Sequence, residues 1–307
     1  MKPSSNTADM TKGSPVRLIL TFSVPLIIGN IFQQFYNMVD SIVVGNFVGA
    51  NALGAVGACG SLNWLFFSLS SGLGIGIGVI VSQFYGAKRF DKVSETIANS
   101  FYVLISSALV VSILCYLIAP AVLRLLKTPD DIINDSITYM RTTCLGIVAI
   151  SLYNGVSSIL RALGDSKTPL YFLILSSICN VLLDLLFVIS FGWGVFGVAF
   201  ATILSQALSA VVSLFYAFKK ISYFHLTKKQ LKPDFLIIKN SYRLGVPIAL
   251  QSSMIAVSCV FLQSIVNSFG STVVSAYTIT NRIEQLINQP YNSIGTALTT
   301  YAGQNIG

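Results

Sequence analysis

Residues Leu53–Val81 have the sequence LGAVGACGSLNWLFFSLSSGLGIGIGVIV, 29 residues without a charged side chain. A helix needs about 20 apolar residues to cross the hydrocarbon core of a bilayer. Gly72 and Gly76, and likewise Gly74 and Gly78, have the small-x-x-x-small spacing at which membrane helices pack closely. No strand precedes these glycines, so they do not indicate a nucleotide-binding loop. The stretch predicts a membrane-spanning helix with a close helix neighbour.

The rest of the chain has the same character. Of its 307 residues, 54% are hydrophobic and 10% are charged, whereas soluble domains have about 25% charged residues. This excludes a cytosolic enzyme, a secreted disulfide scaffold and a disordered chain. The fold predicted is an all-α polytopic membrane protein with eight spans, at 17–47, 53–81, 95–123, 136–160, 169–190, 195–218, 243–268 and 273–300.

The loops between these spans carry their basic residues unequally. Alternate loops and the N-terminal tail hold 15 of the 19 Lys and Arg residues, and the opposite loops hold the other 4. Because positive charge marks the cytoplasmic side, we expect a cytoplasmic N-terminus. The location expected for this multi-pass protein is the plasma (inner) membrane. The basic stretch from Lys219 to Lys239 has no accompanying nucleic-acid-binding motif, so no nucleic-acid partner is expected.

The chain contains an internal repeat. Pro25 matches Pro247, and the motif Gln83-Phe84-Tyr85-Gly86 matches Gln304-Asn305-Ile306-Gly307. Two further pairs share the 221-residue offset of that motif: Gly49 with Gly270, and Ala55 with Ala276. Six spans separate the copies, so the repeats run in parallel, a design typical of transporters.

The repeat divides the chain into three parts. We expect an N-terminal six-helix lobe with a cytoplasmic tail over 1–218, a cytoplasmic linker over 219–242, and the first two helices of a second lobe over 243–307. A complete second copy would extend the chain to roughly 450 residues. The sequence is therefore interpreted as a C-terminally truncated fragment, which we expect to be unable to transport alone.

Two acidic residues lie clearly inside the first seven predicted spans, away from the span ends: Asp40 and Asp184. At 1.5 Å per residue they lie about 12 Å and about 9 Å below the outer ends of their spans, and Thr202 lies about 13 Å below the end of its own. Asn180 precedes Asp184 by four residues and shares its helix face. Three helices thus bring oxygen ligands to one level.

Two carboxylates in a low-dielectric site cannot both ionise cheaply. A proton would relieve this, and so would a small hard cation held by oxygens. The alternative is a hydrogen-bonded cluster that only holds the helices together. Charged groups are an expensive way to do that inside a membrane, which favours a cation-binding site.

Other polar residues are candidates to line a cavity. Gln33 and Asn37 lie at i and i+4 before Asp40 at i+7, a polar stripe beside Tyr36. Tyr139 and Asn154 are further candidates, and each of these side chains is equally suited to an interhelical hydrogen bond. No Ser-His-Asp set, His cluster or P-loop is present, so no enzymatic activity and no metal beyond a possible Na⁺ are expected.

Several segments together resemble the multidrug and toxic compound extrusion (MATE) family. They are the Pro25 entry to the first span, the stretch from Gly49 to Ala55, the Gln83–Gly86 motif and, most specifically, LRALGDSKTP over 160–169. The resemblance covers essentially the whole chain but only about two thirds of a family member. It implies two lobes of six helices each and export of amphipathic organic cations in exchange for H⁺ or Na⁺.

The resemblance to the DinF-like branch of the family also implies a cation site in the first lobe. Asp40, Asn180, Asp184 and Thr202 match its pattern position by position, and Pro25 matches a proline near which the first helix bends. Another branch carries an acidic ligand in the seventh helix. Here the seventh span, from Leu244 to Phe269, contains no acidic residue, which disfavours a site of that kind.

The function expected is therefore that of a secondary active multidrug antiporter. It would take small organic cations as substrates, contact membrane lipids, use no cofactor other than the coupling ion H⁺ or Na⁺, and act as a monomer. One alternative is a flippase for a lipid-linked oligosaccharide, disfavoured because the spans hold almost no internal Arg or Lys for an anionic headgroup. The other is a non-transporting membrane scaffold.

Overall fold

The computed structural model describes residues 9–126, 128–267, 269 and 271–307. These residues form α-helices with short π and 3-10 segments, and they contain no strand. The α-helices are α1 (Pro15–Val43), α2 (Ala50–Gly86), α3 (Phe90–Leu125), α4 (Ile133–Leu145), α5 (Ile147–Ala162), α6 (Lys167–Leu185), α7 (Gly194–Lys220), α8 (Phe235–Asn267) and α9 (Ser271–Ile306). Single π turns, Val44–Val48 and Leu186–Ser190, continue α1 and α6.

Each of the eight predicted spans corresponds to helical structure. Among the described residues, five helices are long and apolar enough to cross a membrane, and the bent pair α4–α5 makes a sixth if it is counted as one span. The predicted seventh and eighth spans are α8 and α9, of 33 and 36 residues. They have the length of a span but are not among the five, and α9 is rich in Thr, Asn and Gln.

The fourth predicted span differs from the prediction because it is two helices, α4 and α5, bent by 48°. The break is at Gly146, whose N–H donates to the carbonyl of Thr143 at 3.0 Å, a tightened last turn. A methyl group at Gly146 would come within 2.8 Å of Ile203 Cγ1 on α7. Glycine therefore lets α7 approach the bend closely, and a periodicity analysis does not detect such a break.

The predicted linker 219–242 is also shorter than expected. Helix α7 continues to Lys220 and α8 begins at Phe235, eight residues before the predicted seventh span. The carboxylate of Asp234 accepts hydrogen bonds from the N–H groups of Leu236 (2.9 Å) and Ile237 (3.3 Å). Satisfying these amide donors starts the helix here. Residues 221–234 remain as the connection, with a 3-10 turn at Ser222–Phe224.

The two larger of three buried clusters form most of the core of the described residues. One joins α2, α3, α5 and α7 to the connection after α7, and it includes Ile77, Leu160 and Phe224. The other joins the ends of α1 and α6 to α2, α3, α4 and α7. This second cluster includes Tyr139 and Val188, so it holds in place the helix segments that carry Asp40 and Asp184.

The repeated motif has a structural counterpart, since its two copies pack against each other. A side chain at Gly86 would collide with the carbonyl of Gln304, and a side chain at Gly307 would collide with the carbonyl of Gln83. Each copy thus ends in a glycine that contacts the glutamine of the other copy. Of the other matched positions, Gly270 lies outside the described residues.

Candidate functional site

The structure brings the two predicted carboxylates together. Asp40 is in α1 and Asp184 is in α6, and the carboxyl groups lie close enough to interact directly, one donating to the other when it carries a proton. Asp184 is fully buried and Asp40 is half-buried. Two acids in contact in a low-dielectric environment repel each other strongly when both are ionised. The pair is therefore suited to hold a positive charge between its oxygens.

Asn180 and Thr202 complete the group. The Nδ2 of Asn180 donates to Thr202 Oγ1 at 3.4 Å, and the Thr202 hydroxyl donates to the carbonyl of Val198 at 3.1 Å. Asn180 lies one turn before Asp184 on α6 and is 1% exposed. With its amide turned towards Thr202, Asn180 leaves its carbonyl oxygen as an available ligand.

The oxygens of this group lack donors. Within the part of the chain that the structure describes, no hydrogen bond is made to Oδ1 of Asp40, Oδ1 of Asn180, or either carboxylate oxygen of Asp184. Buried polar atoms are nearly always hydrogen-bonded, so a cluster of unpaired oxygens needs an explanation. All four are acceptors, which makes the cluster complementary to a proton or a small cation rather than to an anion or a neutral side chain.

Tyrosines surround the carboxylates. Tyr36 on α1 and Tyr139 on α4 both interact electrostatically with Asp40 and Asp184, and Tyr139 is 7% exposed. Tyr36 also interacts with Tyr153 on α5, whose hydroxyl donates to the carbonyl of Pro169 at 3.3 Å. Tyr153 was not predicted. Only two features of the sequence indicate a role for Tyr153: its position next to the predicted Asn154 and its polar hydroxyl group.

The other cavity candidates are placed less directly. Gln33 is half-buried and Asn37 is exposed, both on α1 before Asp40. Asn154 on α5 is half-buried, and its Nδ2 is buried without an acceptor among the described residues. Pro25 is buried inside the continuous helix α1. Roles for these residues in substrate contact or bending stay predictions.

The 160–169 motif forms the connection between α5 and α6 rather than part of the carboxylate group. Asp165 is 1% exposed and accepts hydrogen bonds from the N–H groups of Lys167 (3.1 Å) and Thr168 (2.9 Å) and from the Thr168 hydroxyl (2.6 Å). Burial raises the pKa of the Asp165 carboxyl, although the hydrogen bonds from Thr168 oppose that shift. The motif therefore caps α6 and fixes the helix that carries Asn180 and Asp184.

Comparisons with known proteins give consistent family matches. The MatE family model matches residues 25–186 and 247–307. The chain is 35% identical over 302 residues to "Probable multidrug resistance protein YpnP" of Bacillus subtilis strain 168, covering 97% of this chain and 67% of that protein. It is 30% identical to "Probable multidrug resistance protein YoeA" of the same strain, covering 98% of this chain and 66% of that protein. The chain thus spans about two thirds of the length of these relatives.

Solved structures give the same result. A structure described as the outward-facing conformation of a multidrug resistance MATE family transporter of the MOP superfamily superposes with a TM-score of 0.91 at 26% identity, covering 99% of this chain and 67% of that one. A MOP superfamily transporter from Pyrococcus furiosus superposes equally well, with the same identity and coverage. Its description states that a binding pocket of reverse polarity suggests a different function.

Proposed function

Because the chain belongs to the multidrug and toxic compound extrusion (MATE) family of multi-pass membrane transporters, we propose that it exports amphipathic organic cations in exchange for H⁺ or Na⁺. The protein so proposed acts as a monomer, uses no cofactor besides the coupling ion, and lies in the plasma membrane with its N-terminus in the cytoplasm. As the chain spans about two thirds of its relatives, the proposal concerns the protein made from the complete reading frame.

One observation carries the proposal: the contact between Asp40 and Asp184, with acceptor oxygens that have no donor among the described residues. A helix-joining role would be served by paired donors and acceptors, as Asn180 and Thr202 provide beside it. A group of acceptors alone is instead complementary to a cation. Its net charge changes when H⁺ or Na⁺ binds, and such a change can bias a conformational equilibrium.

The mechanism follows from this change of charge. When H⁺ or Na⁺ arrives from outside, it neutralises the repulsion between Asp40 and Asp184 and lets α1 and α6 approach. The half-buried polar face of α1, with Gln33 and Tyr36, then takes an arrangement with weaker affinity for the organic cation, which leaves outward. Coupling of this kind is reciprocal, so bound substrate must weaken binding of the coupling ion by the same factor.

The test uses the protein from the complete reading frame, reconstituted in proteoliposomes and loaded with a fluorescent organic cation. Efflux is followed under an imposed pH or Na⁺ gradient, and the effective gradient identifies the ion. We expect Asp40→Asn to lower gradient-driven efflux by about tenfold or more, because coupling free energies are typically 1–3 kcal/mol. Asp91→Asn, at an exposed carboxylate in the first turn of α3, is the matched control and should transport normally.

Other outcomes would favour the alternatives. Equal efflux by Asp40→Asn and the unsubstituted protein would make the carboxylate pair a structural element. No efflux under either gradient would favour a lipid-linked oligosaccharide as cargo, an alternative kept because a structurally similar transporter is described as having a pocket of reverse polarity. If the protein transports neither organic cations nor a lipid-linked oligosaccharide, the result would favour a role as a membrane scaffold.

A further inference from the structure

The surface around the connection between α7 and α8 is strongly basic and partly apolar. We call it the linker surface; its members are exposed and are Lys228, Lys229, Lys232, Phe235, Leu236, Lys239 and Arg243. It lies between the two blocks that the MatE family model matches, 25–186 and 247–307. The transport site uses none of these residues. Their arrangement is therefore a feature of this chain that the family match does not describe.

The connection between α7 and α8 is fixed in place by packing contacts with the helices. Tyr223 and Phe224 in its 3-10 turn are 4% and 0% exposed. The Tyr223 ring packs edge-on against Tyr85 of α2, with 5.9 Å between centroids, and the Phe224 ring packs edge-on against Phe218 of α7 at 5.7 Å. These contacts anchor the segment that presents Lys228 and the residues after it.

Contacts with α3 give the depth of the linker surface. The Tyr102 hydroxyl donates to the carbonyl of Leu231 at 2.8 Å, and the Asp234 N–H donates to Asn99 Oδ1 at 2.8 Å. Along α3, Glu95 is the last charged residue before an uncharged stretch that runs to Leu123. Asn99 and Tyr102 therefore lie where α3 enters the apolar core, a level at which tyrosine is enriched in membrane proteins.

The first turns of α8 continue along α3 from this level. The Tyr242 hydroxyl is 2.8 Å from Ser107 Oγ and 3.2 Å from Ser106 Oγ, one turn further along α3. Because the two helices run in the same direction here, Phe235 and Leu236 lie at the boundary between headgroups and acyl chains. Their side chains are 79% and 65% exposed among the described residues.

Basic and apolar side chains share one face at this boundary. Leu236, Lys239 and Arg243 follow at i, i+3 and i+7, a single stripe on α8. Lysine and arginine at such a level lay their stems along apolar surface and extend the charged head to the phosphates. The stripe therefore combines positive charge with apolar surface, which match the phosphate and the acyl chains of one phospholipid.

The positive charge of the surface is not compensated locally. From 219 to 243 the sequence has seven Lys or Arg residues and one acid, Asp234. The Asp234 carboxylate is engaged with backbone N–H groups of α8. Across the described ranges, the one ion pair between side chains is Lys92–Glu95, which lies on α3. The linker surface is thus available to an anion.

We propose that the linker surface binds anionic phospholipid, with the lysines on the headgroup phosphate and Phe235 and Leu236 among the glycerol and upper acyl groups. A soluble polyanion would match the lysines but would leave the two exposed apolar side chains without a partner. A lipid satisfies both. This interaction is independent of the proposed transport cycle, since it uses no residue of the carboxylate group.

The experiment measures the lipid preference directly at the surface. In the protein from the complete reading frame, Trp64 and Trp193 are replaced by Phe, together with any tryptophan outside the 307 residues, and one indole is introduced by Phe235→Trp. The chain is reconstituted in vesicles of phosphatidylcholine that contain brominated phosphatidylglycerol or, at the same fraction, brominated phosphatidylcholine. Bromine quenches only an adjacent indole, so the ratio of the two quenching curves gives the relative binding constant.

We expect brominated phosphatidylglycerol to quench more strongly, and the preference to weaken in high salt. Each basic residue near an anionic surface contributes about fivefold in affinity, so replacing three should reduce the preference by about a hundredfold. The variant is Lys228→Gln/Lys229→Gln/Lys232→Gln. Its control removes the same charge from Lys12, Lys88 and Lys167 and should keep the preference.

Three results would overturn the proposal. Equal quenching by both brominated lipids would show that the surface does not select charge. A preference that survives in the Lys228/Lys229/Lys232 variant would place the anionic lipid elsewhere. Loss of the preference on adding inorganic phosphate to vesicles at constant ionic strength would assign the lysines to a soluble anion instead. Normal quenching by phosphatidylcholine in every variant confirms that the protein is folded and inserted.

Discussion

The contact between α2 and α8 and the contact between α1 and α9 are counterparts under the internal repeat, yet they are built differently. The α2–α8 contact is made of small residues in antiparallel register. Ser68 meets Ser253 with 3.1 Å between the hydroxyl oxygens. A methyl group at Gly72 would come within 2.5 Å of Ala249 Cα, and one at Gly76 would come within 2.6 Å of the Gly245 nitrogen. The backbones of α2 and α8 are thus in direct contact.

The α1–α9 contact is filled by side chains and by the N-terminal tail. Met10, 1% exposed, packs in a buried cluster with Phe22 and Ala297. Its N–H donates to Gln304 Oε1 at 3.0 Å, and its carbonyl accepts from Asn305 Nδ2 at 3.0 Å. The Gln304 amide also donates to the Ala162 carbonyl at the end of α5, at 2.8 Å. Met10 of the tail thereby joins α1 to α9, and Gln304 links this contact to α5.

Repeated halves of one chain can therefore hold together without equivalent contacts. Close packing without intervening side chains depends on shape alone and fails abruptly when volume is added. A contact made of hydrogen bonds to backbone can be released by rotating side chains, provided that water or another partner replaces them. We therefore expect α2–α8 to stay closed and α1–α9 to part when the lobes move.

The largest effect is expected at the glycine contact. Gly72→Ala should lower the free energy of unfolding by about 3 kcal/mol, the upper range for adding a methylene to a filled interface. The control, Gly60→Ala, lies on the same helix, and a methyl group there meets nothing within 4 Å. It should raise stability by up to about 1 kcal/mol through helix propensity. Thermal unfolding midpoints in one detergent measure both, and equal midpoints would mean that the interface yields freely.

A smaller effect is expected at the tail contact. Gln304→Leu leaves the Met10 N–H and the Ala162 carbonyl without their partners, so we expect a loss of about 2 kcal/mol. The matched control, Gln285→Leu, replaces an exposed glutamine on the same helix and should be nearly neutral. A cysteine reagent that reaches residue 10 in a Met10→Cys chain only when Gln304→Leu is also present would localise the change to this contact. Equal labelling in both backgrounds would contradict it.

How far the sequence predicts the structure differs between these features. The membrane helices follow from apolar stretches, since no other arrangement satisfies the backbone inside lipid. The grouping of Asp40, Asn180, Asp184 and Thr202 follows from depth, because charged groups inside a bilayer must find partners. The small-x-x-x-small pairs of α2 also predict a close helix neighbour. They do not predict which helix this is, because α5 faces Gly74 while α8 faces Gly72 and Gly76.

Other features depend on contacts that no local pattern reveals. The bend at Gly146 lies against Ile203 of α7, which is more than fifty residues away in the sequence. Met10 lies in a polar N-terminal segment that predicts no structure, and its place is fixed by packing against Phe22 and Ala297 and by hydrogen bonds with Gln304 and Asn305. The early start of α8 could have been recognised from Asp234, an N-cap residue just after a proline.

The smallest effects on stability are expected from replacing one serine in each of the two helix contacts. Ser293→Ala removes the acceptor of Asn30 Nδ2, which lies 3.1 Å from Ser293 Oγ, so it should lower the free energy of unfolding by about 1 kcal/mol. Ser253→Ala removes the contact with Ser68, yet both hydroxyls already donate to carbonyls of their own helices, at 2.7 Å each. Removing such a hydroxyl costs little stability. We expect Ser253→Ala to lower the free energy of unfolding by less than about half as much as Ser293→Ala. Matched unfolding curves for the two variants decide the point: a larger loss from Ser253→Ala would show that the hydroxyl pair, and not the close backbone packing, holds α2 to α8.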